Sequence, residues 1–447
     1  MSKGSNSPRE KDHEPAAIAE IKVAGFKSIS DEQSIEIRPL TILAGANSSG
    51  KSSMMQPLLL LKQTLEATYD PGPLLLNGPN VKFTLAEQVL SRTSKKKPAE
   101  LFHVGMRMAG GDCFVLTFRR RHKVGFTVDS MTESGTSGTY TFWPGMTEAE
   151  IIKTGYHPRA KLIKEDLAKT YGVDARWMVR RRRCLLEVIC IARTAYGNSS
   201  HGGLKGEPKK SILRAIHLPG LRGNPERTYP VAAIGPVYPG TFEKYTASVI
   251  SRWMAESKDK LAKLNADLRL LGLAGGVGTA RRNAAEIEIQ VGRLANVPPT
   301  RPEDRVNIAD VGIGVSQTLP VLVALHAAQP GQLVYVEQPE THLHPRAQFA
   351  LAQVLVSAAE RGVRVVIETH SSTLLLGVQT LVAEGKFAPD KVKLHWFQRG
   401  KDGRTTVRSG ELDDAGAFGD WPEDFDDVML ETQKRYLDAA DKRLFAR

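Results

Sequence analysis

The sequence predicts an α/β fold built around a mostly parallel sheet, and three observations carry that prediction. First, three short runs are almost wholly apolar: "LTILA" (40–44), "LVYV" (333–336) and "VRVVI" (363–367). Strands buried on both faces of a parallel sheet read this way, without the alternation of a half-exposed strand. Second, helix-competent segments alternate with these runs, among them "VSQTLPVLVALHAA", "PRAQFALAQVLVSAAER" and "STLLLGVQTLVAEG". Alternation of that kind implies crossover units. Third, the first apolar run opens through "GANSSG" directly into the helical "SSMMQPLLLLKQTLEA".

Taken in order, residues 1–17 are polar, lack the apolar core of a secretory signal and are expected to be a flexible N-terminus. Residues 18–98 form the N-terminal part of the main domain, with strands at "AEIKVAGFKSI" and "QSIEIRPLTILAGA". From 99 to 143 the β-type runs "ELFHVGMRM", "CFVLTFRRR", "VGFTVDSM" and "TYTFW" predict an antiparallel meander, because short turn-rich breaks separate them. Residues 144–300 are expected to be a mainly helical insertion, from spaced apolar positions over 148–196 and 241–271. Residues 301–400 complete the α/β domain, and 401–447 form a small acidic C-terminal segment.

Composition narrows the class. With 447 residues and 41% hydrophobic content the chain can bury a sizeable core. No apolar run is long enough to span a bilayer, so a membrane partner is not expected and a cytoplasmic location is. Cys113, Cys184 and Cys190 are scattered, with neither metal-ligand spacing nor a disulfide framework. A net charge of +12 permits a polyanionic partner. Its dense runs are "SKKKP", "FRRRHK" and "VRRRRC", and the last makes Arg180, Arg181, Arg182 and Arg183 candidates for nucleic-acid contact, with solvated surface the plainer reading.

Four motifs carry chemistry. "GANSSGKSS" (45–53) fits G-x-x-x-x-G-K-[ST] between a strand and a helix. Gly45 and Gly50 let the backbone turn close around a phosphate, with Asn47 and Ser53 in the same loop and first turn. Lys51 would reach the β- and γ-phosphates of a nucleotide, and the Ser52 hydroxyl would ligate Mg²⁺. In "LVYVEQPETHLHP" a buried strand delivers Glu337 to the edge where an α/β sheet binds ligand, as a second Mg²⁺ ligand. "VVIETHSS" (365–372) similarly presents His370 toward the γ-phosphate. "IADVGIGVSQTLPVL" (308–322) starts a helix whose first turn, with Ser316 and Gln317, suits an anion.

The order of these motifs resembles the ABC-type ATPases of the SMC, Rad50 and RecF group, and more closely the OLD-like (overcoming-lysogenisation-defect) ATPases of bacteria. "EQPETHLHPRAQ" looks like the E-x-P-E-x-x-L-H-P element of that family, and "DVGIGVSQ" like its D-x-G-x-G signature. The resemblance covers roughly 18–75 and 300–397. It implies an ABC-type P-loop NTPase head with an antiparallel β subdomain, using ATP and Mg²⁺. Gly50, Lys51 and Ser52 would bind nucleotide, Glu337 would match the Walker B acid, and His370 the switch histidine. Gly312, Gly314 and Ser316 would touch the γ-phosphate held by another subunit, so a homodimer or larger homo-oligomer follows. The resemblance further implies control of a separate effector protein, a nuclease or toxin, in antiphage defence. The alternative is a DNA-repair or DNA-tethering ATPase that binds nucleic acid directly.

Two departures stand out. Gln338 occupies the position where ABC ATPases have a catalytic Glu, and no long heptad arm is present. About fifty residues follow "HWFQRG", too few for a TOPRIM nuclease domain. An amide can orient an attacking water, and Glu340 or His370 could accept the proton, which predicts slow or partner-gated hydrolysis. An ATP-binding scaffold that never hydrolyses is the third reading. Arg222 and Arg227, in the connector "GLRGNPERTYP", could reach phosphate, but a lone loop arginine is expected to be surface or a structural ion pair.

Overall fold

The computed structural model describes residues 17–419 except 95–97, 124, 157–159, 173, 195–196, 202–206 and 296, and also 434–435 and 437–438. The N-terminal segment 1–16 and most of the acidic tail, including "DWPEDFDD", lie outside the described residues.

The chain opens with β1 (Ile18–Ala24), β2 (Gln33–Glu36) and β3 (Leu40–Gly45), then α1 (Lys51–Glu66). Next come β4 (Leu101–Met108), β5 (Cys113–Arg121), β6 (Gly125–Gly135) and β7 (Gly138–Phe142). β1 and β2 join these four in one antiparallel sheet of order β2-β1-β4-β5-β6-β7. Along β5, Phe114, Leu116 and Phe118 are buried while Val115 and Thr117 between them are not, the period of two that a sheet with one packed face requires.

Residues 144–300 depart from the helical expectation. Helices α2 (Glu148–Thr154) and α3 (Ala160–Tyr171) give way to strands β8 (Ala175–Arg182), β9 (Leu185–Thr194) and β10 (Gly197–His201). After α4 (Glu207–Arg214) follow β11 (Ile216–Leu218), β12 (Tyr229–Pro230), α5 (Thr246–Glu256), α6 (Lys258–Leu270), β13 (Val277–Arg281) and β14 (Glu286–Gly292). The run of arginines hid a strand. In β8 only Ala175 and Trp177 are buried, and the charged residues after them interrupt the alternation that would have announced it.

β15 (Arg305–Asn307), α7 (Ile313–Ala327), β16 (Leu333–Glu337), α8 (Pro345–Glu360), β17 (Arg364–Glu368), α9 (Ser372–Ala383), β18 (Val392–Arg399) and β19 (Thr405–Gly410) complete the chain. The central sheet runs β11-β16-β17-β3-β18-β19, parallel except for the β18–β19 hairpin. It divides two cores. Leu40, Ile42, Val334, Val336, Val365 and Ile367 face one, whereas Leu43, Leu333, Tyr335 and Val366 face the other. Both faces being covered explains why the middles of these strands are almost wholly apolar.

Two buried polar groups brace this frame. Lys62 on α1 is wholly buried, pairs with Glu66 and donates to the Tyr238 carbonyl at 3.0 Å, while Glu66 accepts from the Gly240 N–H at 3.0 Å. His395 on β18 lies between Ser409 Oγ and the Glu36 carbonyl, 2.9 Å from each. Burial drives its pKa down to about 4, so the ring is neutral at neutral pH. No described helix is long and apolar enough to cross a membrane.

Candidate functional site

At the C-terminal edge of the central sheet, β3 turns into α1 through residues 45–50. Gly45 has φ of +139° and Gly50 of +108°. A Cβ on either would collide with the chain beside it, at the Phe397 carbonyl and the Thr405 side chain respectively. The β18–β19 hairpin therefore sets the path of the loop, and Thr405 Oγ1 holds it by donating to the Ser49 carbonyl at 2.7 Å. Lys51, 5% exposed, donates to the Gly45 and Ala46 carbonyls at 2.9 Å each. Burial lowers its pKa, opposed by the charges of Glu368 and Glu340.

Asn47, Gly50, Lys51, Ser52 and Ser53 line a cavity of about 740 Å³. Gln338, Glu368 and His370 line it too, and Lys27, Arg92 and Arg399 add cationic groups. Such a ring of basic side chains over a glycine loop suits a polyphosphate. Lys27 and Ser28 escaped the sequence reading, although a Lys–Ser pair directly after the first strand was a visible signal.

Glu368 also escaped it. This residue ends β17, is 4% exposed, and accepts from Ser52 Oγ at 2.9 Å and from the Tyr335 hydroxyl. Burial, and then the nearby Glu337 charge, push its carboxyl up to about 7 against the bonds from Tyr335 and Ser52. Glu337, one strand further from the loop, does not line the cavity. Its oxygens meet His217 Nε2 at 3.2 Å and the Gly220 N–H at 3.1 Å. Burial works to raise its pKa, but His217, Gly220 and Arg222 outweigh it and the net shift is downward. Ser52 and a strand-end carboxylate are hard oxygen donors that fit Mg²⁺. Among the described residues no three His, Cys, Asp or Glu side chains cluster as a metal cage, so water and phosphate would complete such a shell.

Gln338 has φ of +44°, a left-handed conformation costly for a residue with a Cβ. The bond from its N–H to the Glu368 carbonyl, 2.8 Å, fixes that kink and sends its side chain to the cavity wall. Glu340 is not part of that wall. It is 8% exposed and accepts from Thr369 Oγ1 at 2.8 Å and the His370 N–H at 3.0 Å, so it braces His370 from behind. Burial, followed by the Lys51 charge, lowers the His370 pKa.

Gly312, Gly314 and Ser316 open α7 away from this cavity, and none of them lines it. A Cβ on Gly314 would press on the His342 carbonyl at 2.9 Å, and Ser316 Oγ donates to the Ile313 carbonyl at 2.9 Å. Arg222, read from sequence as surface or structural, is only 7% exposed. Its guanidinium donates to the carbonyls of Glu337 (2.6 Å), Gln338 (3.4 Å) and, on α7, Gln317 (3.3 Å). It thus ties α7 to the acidic strand end, and burial lowers its pKa to about 10. Arg227 pairs with Asp310 at 2.7 Å on the surface.

Arg180 to Arg183, at the end of β8 and in its turn, each have a partner within the chain. Arg181 pairs with Asp70 at 2.7 Å, Arg182 and Arg180 with Glu187 at 3.2 and 3.6 Å, and Arg183 donates to the Leu65 carbonyl.

Residues 281–376 match the family model described as "AAA domain, putative AbiEii toxin, Type IV TA system". No curated protein matches the chain. Solved structures similar to it include an SMC head bound to the C-winged helix domain of ScpA, at 13% identity and a TM-score of 0.44, covering 89% of this chain and 99% of that one. The SMC head domain from Thermotoga maritima aligns at 11% identity and 0.38, over 88% and 98% of the two chains. An Smc head with an extended coiled coil bound to the C-terminal domain of ScpA, from Pyrococcus furiosus, aligns at 12% and 0.41, over 89% and 96%.

Proposed function

We propose that this chain is an ABC-type, OLD-like ATPase whose nucleotide-driven head pairing controls a partner effector in bacterial antiphage defence. The observation that carries the ATPase reading is that Lys51 and Ser52 of a glycine loop line one cavity of about 740 Å³ together with Glu368, Gln338 and His370. The defence role rests on the resemblance of "EQPETHLHPRAQ" and "DVGIGVSQ" to OLD-like motifs.

Phosphoryl transfer asks a protein chiefly for positioning and electrostatic stabilisation. Bound Mg²⁺ would neutralise phosphate charge beside Ser52. Lys51, Lys27 and Arg399 surround the phosphates with cations. Gln338, with its amide on the cavity wall, orients the attacking water, and His370, held by Glu340, contacts the γ-phosphate. With Gly312, Gly314 and Ser316 turned away from their own cavity, a second copy supplies them, and a homodimer is the active unit.

The test is steady-state ATP hydrolysis and fluorescent-ATP binding by the full chain beside Lys51→Ala and Gln338→Glu. Slow parental turnover, abolished in Lys51→Ala and raised in Gln338→Glu, is expected. Unchanged ATP affinity in Lys51→Ala overturns the phosphate-loop assignment.

A further inference from the structure

We propose that the cavity between the connector of residues 220–230, the start of α5 and the first turns of α7 is a second ligand site, which takes a flat amino-heterocycle of the adenine type and transmits its occupancy to Gln338 through Arg222. Binding at this site is independent of the nucleotide reading above, and only the transmission to Gln338 rests on it.

The cavity holds about 500 Å³, a size usual for small-molecule sites. It shares no lining residue with the glycine-loop cavity. Tyr229 on β12, Ile289 on β14, Ile308 and Leu319 give it apolar walls, against which a ring packs well. Arg222 and Lys244 are balanced there by Glu226 and Glu243, so the lining does not gather a polyphosphate. Of Gly312, Gly314 and Ser316, only Ser316 borders the cavity, and its hydroxyl is engaged with the Ile313 carbonyl.

Three of the lining residues each keep one polar atom that is withdrawn from solvent and has no hydrogen-bond partner: Arg222 Nε, Glu243 Oε2 and Thr246 Oγ1. Unsatisfied buried groups are rare in folded chains, and each carries a desolvation penalty. Here one donor, one acceptor and one hydroxyl that can do either border a single cavity. After a short rotation of these side chains, an occupant would satisfy them by offering an acceptor to Arg222 and Thr246 and a donor to Glu243. Adenine presents that pair on one edge, its N6 amine beside N7, whereas guanine presents two acceptors there, O6 and N7, and gives Glu243 no donor. The remaining nitrogens of the Arg222 guanidinium donate to the carbonyls of Gln317, Glu337 and Gln338. A bond to Nε therefore firms the junction of α7 with the end of β16, and Gln338 at that junction lines the nucleotide cavity.

The experiment is equilibrium dialysis of the full chain against radiolabelled adenosine, with guanosine as the control. Saturable adenosine binding at least about 10-fold tighter than guanosine is expected. Thr246→Val keeps the side-chain shape and removes a hydroxyl that has no partner, so it should fold. It should weaken adenosine binding about 10-fold, as should Glu243→Gln, while fluorescent-ATP affinity stays parental in both. Saturating adenosine should raise ATP turnover in the parent and leave turnover in Thr246→Val unchanged. Absence of saturable adenosine binding overturns the site, as does equal affinity for guanosine or adenosine binding that survives both substitutions. Adenosine binding with no change in parental turnover overturns the transmission through Arg222. Failure of the nucleotide reading looks different, because the parent would then neither bind fluorescent ATP nor turn ATP over, whatever the dialysis against adenosine gives.

Discussion

Replacing Arg222 by Ala tests how α7 is joined to the acidic end of β16. Arg222 makes one short charge-assisted bond, to the Glu337 carbonyl at 2.6 Å, and two long ones, to Gln317 at 3.3 Å and Gln338 at 3.4 Å. The short bond contributes about 3 kcal/mol and each long one about 1 kcal/mol, a gross loss of about 5 kcal/mol. Burial opposes this. A guanidinium pKa depressed from 12.5 to about 10 corresponds to about 3 kcal/mol of disfavoured charge that the Ala variant no longer carries. The expected net destabilisation is about 2 kcal/mol, measured as the shift in urea unfolding free energy at pH 7. Arg222→Lys retains a charge but not the fork, so it should not restore the contact with Gln317. ATP turnover should fall further than stability predicts, because α7 and β16 lose their shared tether. A destabilisation below about 0.5 kcal/mol with parental turnover would refute the tether.

Two further outcomes follow from buried groups. Lys62→Met should cost about 3 to 5 kcal/mol, since it strands Glu66, whereas the double variant with Glu66→Leu should cost less; urea titrations of both decide it. His395 is neutral in the fold with a pKa near 4 against 6.5 unfolded, so its contribution is complete above pH 6.5 and is lost as pH falls toward 4. That loss approaches about 3 kcal/mol, and His395→Gln should flatten the decline in unfolding free energy between pH 7 and pH 4.5.

The parts legible in the sequence are those whose physics is local. "LTILA", "LVYV" and "VRVVI" declare strands buried on both faces because no polar residue alternates within them. The α/β architecture follows from them. Arginines obscured β8, where two buried positions alone mark the packed face. Glu368 was visible as a strand-end acid in "VVIETHSS", yet which of two acids meets Ser52 depends on β17 lying between β16 and β3. Strand order is non-local, and no residue near Glu368 encodes it. Arg222 was similarly opaque, since a loop arginine shows its burial only once the carbonyls of Glu337 and Gln317 are brought to it.

The placement of β3 also governs how the protein is made. Its two neighbours in the sheet, β17 and β18, are translated near the other end of the chain, so β3 has no sheet partner until β17 is made and only one until synthesis has passed Phe397. Contacts of such sequence separation form late and slowly. A nascent or truncated chain ending before β17 holds the whole loop and helix α1 but lacks both flanking strands, and it exposes "LTILA" to aggregation in the meantime. The loop of residues 45–50 is therefore framed on both sides only once nearly the whole chain has been made.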